Sequence, residues 1–218
     1  MSGNSAKVVI LGDSAVGKTS LIQRYISGRT DIQSSTLGAV FVKLEHHFKN
    51  REGKKFHLPI QFWDTAGQER YNALIPMYVR DADYVVLAFD LSNIVSFLNL
   101  KKWLNFGKDS VKSTKFILVG CKNDLKKNVS DEEVEKFRAK YIPDSKFFKC
   151  SSLTGENIDD FFLNIKLELE PVGENRILLN SFDANKNKNE TINIDYYDNL
   201  FNGNSYIELT GVKNKCCF

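Results

Sequence analysis

No stretch of this 218-residue sequence approaches the roughly 20 consecutive apolar residues that a membrane-spanning helix needs. The opening residues, Met1-Ser2-Gly3-Asn4-Ser5-Ala6, run directly into an apolar strand-like segment. They carry neither the cationic flank nor the hydrophobic core of a secretory signal, so none is expected. N-myristoylation is not expected either, because Ser2 stands where that modification requires glycine. Charge of one sign is also lacking. The 30 Lys and Arg against 27 Asp and Glu leave a formal net charge of +3, too little to make a nucleic acid polymer the main ligand. Cysteine is scarce, with four residues in all. Cys121 and Cys150 fall in apolar segments and, without an export signal, read as reduced core thiols. Cys216 and Cys217 are adjacent and followed only by Phe218, where no core can use them.

What is present is the composition of a soluble globular protein, 42% hydrophobic and 26% charged, and of a length that suits one domain plus some extra chain. Apolar runs of strand length alternate with segments of helical period. Lys7–Leu11 precedes a helix from Lys18, and Val40–Phe48 and Phe56–Trp63 precede one near Arg70–Arg80. Tyr84–Asp90 is followed by Ile94–Phe106, Phe116–Cys121 by Asp131–Tyr141, and Phe147–Ser151 by Glu156–Glu168. The pattern predicts an α/β domain with a mostly parallel, six-stranded sheet and helices on both faces. In the last helix Ile158, Phe161, Phe162, Ile165 and Leu169 follow the spacing of one buried face. Val40–Phe48 and Phe56–Trp63 break the alternation, separated only by a polar Gly-containing turn, and should form a hairpin that adds one antiparallel edge strand. After Pro171 the pattern gives way to an Asn-rich stretch without sustained period. Residues 1–170 are therefore expected to be the domain and 171–218 a flexible tail.

Gly12-Asp13-Ser14-Ala15-Val16-Gly17-Lys18-Thr19 fits G-x-x-x-x-G-K-[ST], and it lies between a strand and a helix that opens with Ser20. That context marks a phosphate-binding loop. Its glycines let backbone N–H groups turn inward on a polyphosphate, and the positive end of the helix adds to the field. Lys18 then reaches the β- and γ-phosphates and the Thr19 hydroxyl binds Mg²⁺. A glycine turn with no ligand is the competing reading. Asp64-Thr65-Ala66-Gly67-Gln68-Glu69 follows the strand that ends in Trp63. An Asp there is placed to hold Mg²⁺, Gly67 can give a backbone N–H to a γ-phosphate, and Gln68 can orient the attacking water.

With these segments the chain resembles a small GTPase from Lys7 to about Leu169. The resemblance implies that Thr36, within Ser35-Thr36-Leu37-Gly38-Ala39-Val40-Phe41, completes the Mg²⁺ shell and closes one switch, while Gly67 and Gln68 close the other. The family reads guanine with Asn-Lys-x-Asp, matched here by Cys121-Lys122-Asn123-Asp124. The Asp124 carboxylate suits the guanine N1–H and exocyclic NH₂, whereas adenine presents an acceptor at N1. Lys122 would lay its stem across the base. Cys121 departs from the family's Asn, and Ser151-Ser152-Leu153 departs from its usual Ser-Ala-Lys: the Ser152 N–H can still meet the guanine carbonyl, but Leu153 offers apolar contact alone. Ser14 is small enough to leave room for Gln68.

Within the superfamily the chain is similar to Rabs, and to their early-endosomal branch in particular. The similarity rests on Thr36-Leu37-Gly38-Ala39-Val40-Phe41, Trp63–Tyr71, Pro76-Met77-Tyr78 and Cys216-Cys217-Phe218. It implies an effector surface at Phe41, Trp63 and Tyr78, the alternative being that these rings merely pack under the switches. It also implies prenylation of Cys216 and Cys217. The partners implied are GTP and GDP, an exchange factor, an activating protein, effectors, a GDP-dissociation inhibitor and, through prenyl groups, a membrane. The expected protein is a monomeric, slow GTPase that cycles from the cytoplasm onto the cytosolic face of an intracellular membrane, an endosomal one by resemblance. A pseudo-GTPase scaffold, suggested by Cys121 and Leu153, is the alternative. A P-loop nucleotide kinase fits less well, because the chain has Asp64–Glu69 and lacks an Arg-rich lid.

Overall fold

The structure is a computed structural model and describes residues 5–30, 36, 38–49, 55–110, 115–169, 192–196 and 207–209. Its strands are β1 (Ala6–Leu11), β2 (Ala39–Lys49), β3 (Lys55–Thr65), β4 (Tyr84–Asp90), β5 (Lys115–Cys121) and β6 (Lys146–Lys149). The helices are α1 (Lys18–Ser27), α2 (Ile75–Val79), α3 (Ile94–Leu98), α4 (Leu100–Ser110), α5 (Asp131–Tyr141) and α6 (Ile158–Leu169). The sheet runs β6-β5-β4-β1-β3-β2, parallel except for β2, which is antiparallel to β3. The six expected strands and their mostly parallel arrangement are all present.

β4 is buried at every position because helices cover both faces. Its alternate residues serve separate cores. Tyr84, Val86 and Ala88 join α1 and α6 through Leu21, Ile22, Phe161 and Phe162. Val85, Leu87 and Phe89 join the helices of the other face through Ile75, Val79, Phe97, Trp103 and Val134. Since every parallel strand points its C-terminal end the same way, Leu11, Asp90 and Cys121 all open onto one edge of the domain. Open α/β sheets place their ligands at that edge.

The structure differs from the sequence expectation in three places. The helix near Arg70–Arg80 is a 3₁₀ stretch, Glu69–Leu74, followed by the short α2. The helix over Ile94–Phe106 is interrupted at Asn99, dividing α3 from α4. Beyond β2, two strands of the tail extend the sheet: β7 (Ile192–Tyr196) runs antiparallel to β2 with Phe41 opposite Asp195, and β8 (Ile207–Leu209) runs antiparallel to β7. Ile-Asn-Ile-Asp-Tyr does alternate, but five residues in an Asn-rich stretch are too short a pattern to stand out, and their partner is some 150 residues away. Among the described residues no helix is long and apolar enough to cross a membrane.

Candidate phosphate- and base-binding site

The loop after β1 takes the course that its glycines permit. A side chain at Gly12 would meet the Ala88 carbonyl oxygen at 2.2 Å, so only glycine fits against β4. Gly17 adopts the left-handed φ of 112° directly before α1, a conformation that other residues rarely take. Lys18 opens α1 and is only 5% exposed, and its Nζ donates to the carbonyls of Gly12 and Asp13, both at 2.7 Å. Burial pushes its pKa down, opposed by the nearby Asp64. No acidic residue occupies the first turn of α1 and no described side chain caps it, so its positive end faces the loop. Ser14 and Ala15 are exposed on the rim, Val16 is buried beneath, and Ser20 is half-buried on α1.

Three oxygen groups converge beside that lysine. Thr19 Oγ1 donates to Asp64 Oδ2 at 2.6 Å, Thr36 Oγ1 lies 3.0 Å from Thr19 Oγ1, and Thr36 Oγ1 is 3.4 Å from the same carboxylate oxygen. Asp64 is 4% exposed, and its Oδ1 takes no hydrogen bond from any described residue. Burial pushes the Asp64 pKa up, partly offset by Thr19, Lys18 and Thr36. A buried carboxylate with an unused oxygen and two hydroxyls within reach is a donor set for a hard divalent cation. Mg²⁺ therefore fits these residues. The segment after Asp64 returns to the loop: a Cβ on Gly67 would lie 2.2 Å from the Asp13 carbonyl carbon, so Gly67 packs directly on the Asp13–Ser14 peptide. Ala66 donates its N–H to the Gly38 carbonyl at 2.7 Å, which ties the two segments flanking the site together. Gln68 follows, half-buried and extended, before the 3₁₀ stretch.

At the neighbouring strand ends the base-reading candidates also meet. Asp124 accepts a hydrogen bond from the Ser151 hydroxyl, and Asn123 N–H donates to the Cys150 carbonyl at 3.1 Å, joining the loop after β5 to the loop after β6. Lys122 has φ 60° and pairs with Asp90 at 2.7 Å. Burial alone would raise the Asp90 pKa, but Lys122 and Ser92 hold it below the ordinary carboxylate value. Cys121 is 2% exposed and burial pushes its thiol up to about 12. Ser151 is buried, the Ser152 carbonyl lies 3.5 Å from the Thr30 hydroxyl, and Leu153 is 70% exposed.

Phe41, Trp63 and Tyr78 form one aromatic row. The Phe41 and Trp63 rings stack at 5.2 Å, and Trp63 and Tyr78 lie 6.1 Å apart. Tyr78 is 7% exposed, so Phe41 and Trp63 supply most of the row's accessible face. Cys216 and Cys217 lie outside the described residues. Two residues with no role in the sequence reading join the loop here: Trp103 Nε1 and Asn99 Nδ2 donate to the Asp13 carboxylate, each at 2.7 Å. The available signal was Trp103 itself, a tryptophan on the core face of a helix whose indole N–H needs an acceptor.

Residues 7–170 match the model of the Ras family. The chain is 37% identical to the Ras-related protein Rab-5B of Plasmodium falciparum over 158 residues, which cover 72% of this chain and 73% of that one. It is 34% identical to the Ypt/Rab-type GTPase YPT7 of Saccharomyces cerevisiae over 98% of this chain and 96% of the yeast protein.

Proposed function

The chain belongs to the Ras family of small GTPases and to its Rab branch, and from that premise we propose that it is a timer of membrane traffic that seats effectors while it holds GTP. It is a GTP-binding switch of vesicle traffic that hydrolyses GTP to GDP and phosphate. The observation that carries the fuller reading is the meeting of Lys18, Thr19, Thr36 and Asp64 at one strand edge, with an Asp64 oxygen left over.

Lys18 and the loop N–H groups bind the phosphates, and Thr19, Thr36 and Asp64 hold Mg²⁺. The ion, when bound, spreads the negative charge of the β- and γ-oxygens. Thr36 and Gly67 order their segments around the γ-phosphate, and Gln68 orients the attacking water. Asp124 reads the guanine edge, with Ser151 fixing its carboxylate, while Lys122, Cys121, Ser152 and Leu153 line the base. The intrinsic rate is small, on the order of 10⁻⁴ s⁻¹ as for Ras, because the charge-stabilising arginine comes from an activating protein. Phe41 and Trp63, with Tyr78 behind them, receive effectors. An exchange factor, an activating protein and a GDP-dissociation inhibitor complete the cycle of a monomer.

Cys216 and Cys217 carry prenyl groups that hold the protein on the cytosolic face of an endosomal membrane. One lipid gives only marginal binding and the tail has no basic patch, so two are the physical minimum. Fractionation of cells expressing the double Cys→Ser variant should find it cytosolic; sedimentation with membranes would point to another anchor. The nucleotide reading is tested by chromatography of the heat-released ligand and by competition against labelled GDP. GTP should displace the label and ATP should not, and Lys18→Ala or Asp124→Ala should load nothing. Equal competition by ATP would overturn the guanine assignment.

A further inference from the structure

We propose that Trp103 and Asn99, outside the phosphate loop, are positioning residues that act through Asp13 and set how long nucleotide stays bound. The inference rests on the nucleotide-binding reading of that loop. Asp13 occupies a position at which the loop pattern makes no demand, and its charge is a liability there. A carboxylate inside a loop that cradles a polyphosphate repels the ligand and competes with it for loop N–H groups and for Lys18. The structure turns both carboxylate oxygens away. Trp103 Nε1 donates to Oδ1 and Asn99 Nδ2 donates to Oδ2, each at 2.7 Å. Trp103 is wholly buried, and a hydrogen bond from a buried indole to a charged acceptor is of the strong kind. Asn99 is the residue at which the helix divides into α3 and α4, so the irregularity falls where a side chain reaches across to the loop.

The Asp13 backbone is where this clamp acts on the site. Its carbonyl accepts from Lys18 Nζ at 2.7 Å, and Gly67 packs on the Asp13–Ser14 peptide, where a Cβ would fall 2.3 Å from Ser14 N. Fixing the Asp13 side chain from outside therefore holds the peptide against which both the phosphate-binding lysine and the switch glycine are set. Removing either donor frees one oxygen to swing toward the loop.

The test uses the full-length protein loaded with fluorescent GDP, with release followed in excess unlabelled GDP and Mg²⁺. Trp103→Phe and Asn99→Ala should each speed release about tenfold, equivalent to about 1.4 kcal/mol. Asn99→Asp, which sets a second carboxylate against Asp13, should speed it further. In an Asp13→Ala background none of these changes should add more than about twofold, because the residue they act through is gone. Asn99 is exposed, so its variants avoid the cavity that Trp103→Phe leaves in the core. Thermal midpoints measured alongside separate the two kinds of role. A merely structural contribution would lower the midpoint with release at the parental rate, or would stay additive with Asp13→Ala, and either result overturns the proposal. If the parent retains no guanine nucleotide, the binding reading falls and this one with it. If the parent binds and the three single variants release at its rate, this inference alone falls.

Discussion

Cys121 lies directly beneath Gly17: a Cβ placed on the glycine would meet the Cys121 Cβ at 3.4 Å and its Sγ at 3.8 Å. The end of β5 and the glycine loop thus pack closely, with the Cys121 side chain facing Gly17. That thiol is buried and neutral, with its pKa pushed up to about 12, and a neutral thiol is a poor hydrogen-bonding bridge.

Cys121→Asn restores an amide at this junction, and a neutral hydrogen bond contributes roughly 0.5–1.5 kcal/mol net. GDP release should slow by up to about tenfold. Equal release rates in the two proteins would mean that the junction does not govern retention.

Gln68→Leu should leave GTP and GDP affinity within about twofold of the parent and remove most of the turnover stimulated by an activating protein, since only the water-positioning group is lost. Single-turnover hydrolysis is the measurement. Parental rates would strip Gln68 of its assigned role.

Phe41→Ala deletes one ring of the stacked pair with Trp63. GTP-dependent capture of binding proteins by the Gln68→Leu form should fall at least about tenfold, as expected when an aromatic anchor is removed. Nucleotide release should not change. Undiminished capture would place the effector surface elsewhere.

Glu168 joins three elements, accepting from Lys146 at 2.8 Å and the Tyr84 hydroxyl at 3.0 Å, with Lys115 at 3.5 Å. The Lys146 bond, aided by Tyr84 and opposed by burial, holds the carboxyl below its ordinary 4.5. Because the folded value is the lower one, the stabilisation is complete above about pH 4.5 and is lost as pH falls through the depressed value. Glu168→Gln should cost up to about 1 kcal/mol at pH 7, since the group is partly exposed. Urea midpoints of variant and parent should converge as the pH falls below the ordinary carboxyl value of 4.5. A constant gap at every pH would show that the carboxylate charge contributes nothing.

Much of this was legible in the sequence because the signals are local. The loop from Gly12 to Thr19 sits within one strand–helix turn, and β4 and α5 occupy the expected residues Tyr84–Asp90 and Asp131–Tyr141. In the structure Ser130 and Glu133 form a reciprocal cap at the start of α5. What the sequence hid depends on partners far along the chain. The break at Asn99 is tied to Asp13, 86 residues away, and helical periodicity carries no information about such a contact. The Lys122–Asp90 pair and the seating of β7 on β2 are hidden in the same way. The departures at Cys121 and Leu153 were visible as letters, but only the packing shows that one is sealed under the loop and the other stands in solvent.

The hairpin of β7 and β8 sets the length of a leash. From Leu209 to Cys216 the chain has seven residues, with a contour of at most about 25 Å. From Leu169, the end of α6, to Cys216 it has 47, with a contour above roughly 150 Å. For lipids carried on the two terminal cysteines, the seated hairpin draws the β2 side of the domain close to the bilayer, and release of β7 from β2 lets the switch face stand several domain diameters above it. Under the prenylation proposed above, a few backbone hydrogen bonds at the β2 edge would govern how far the domain stands from the bilayer.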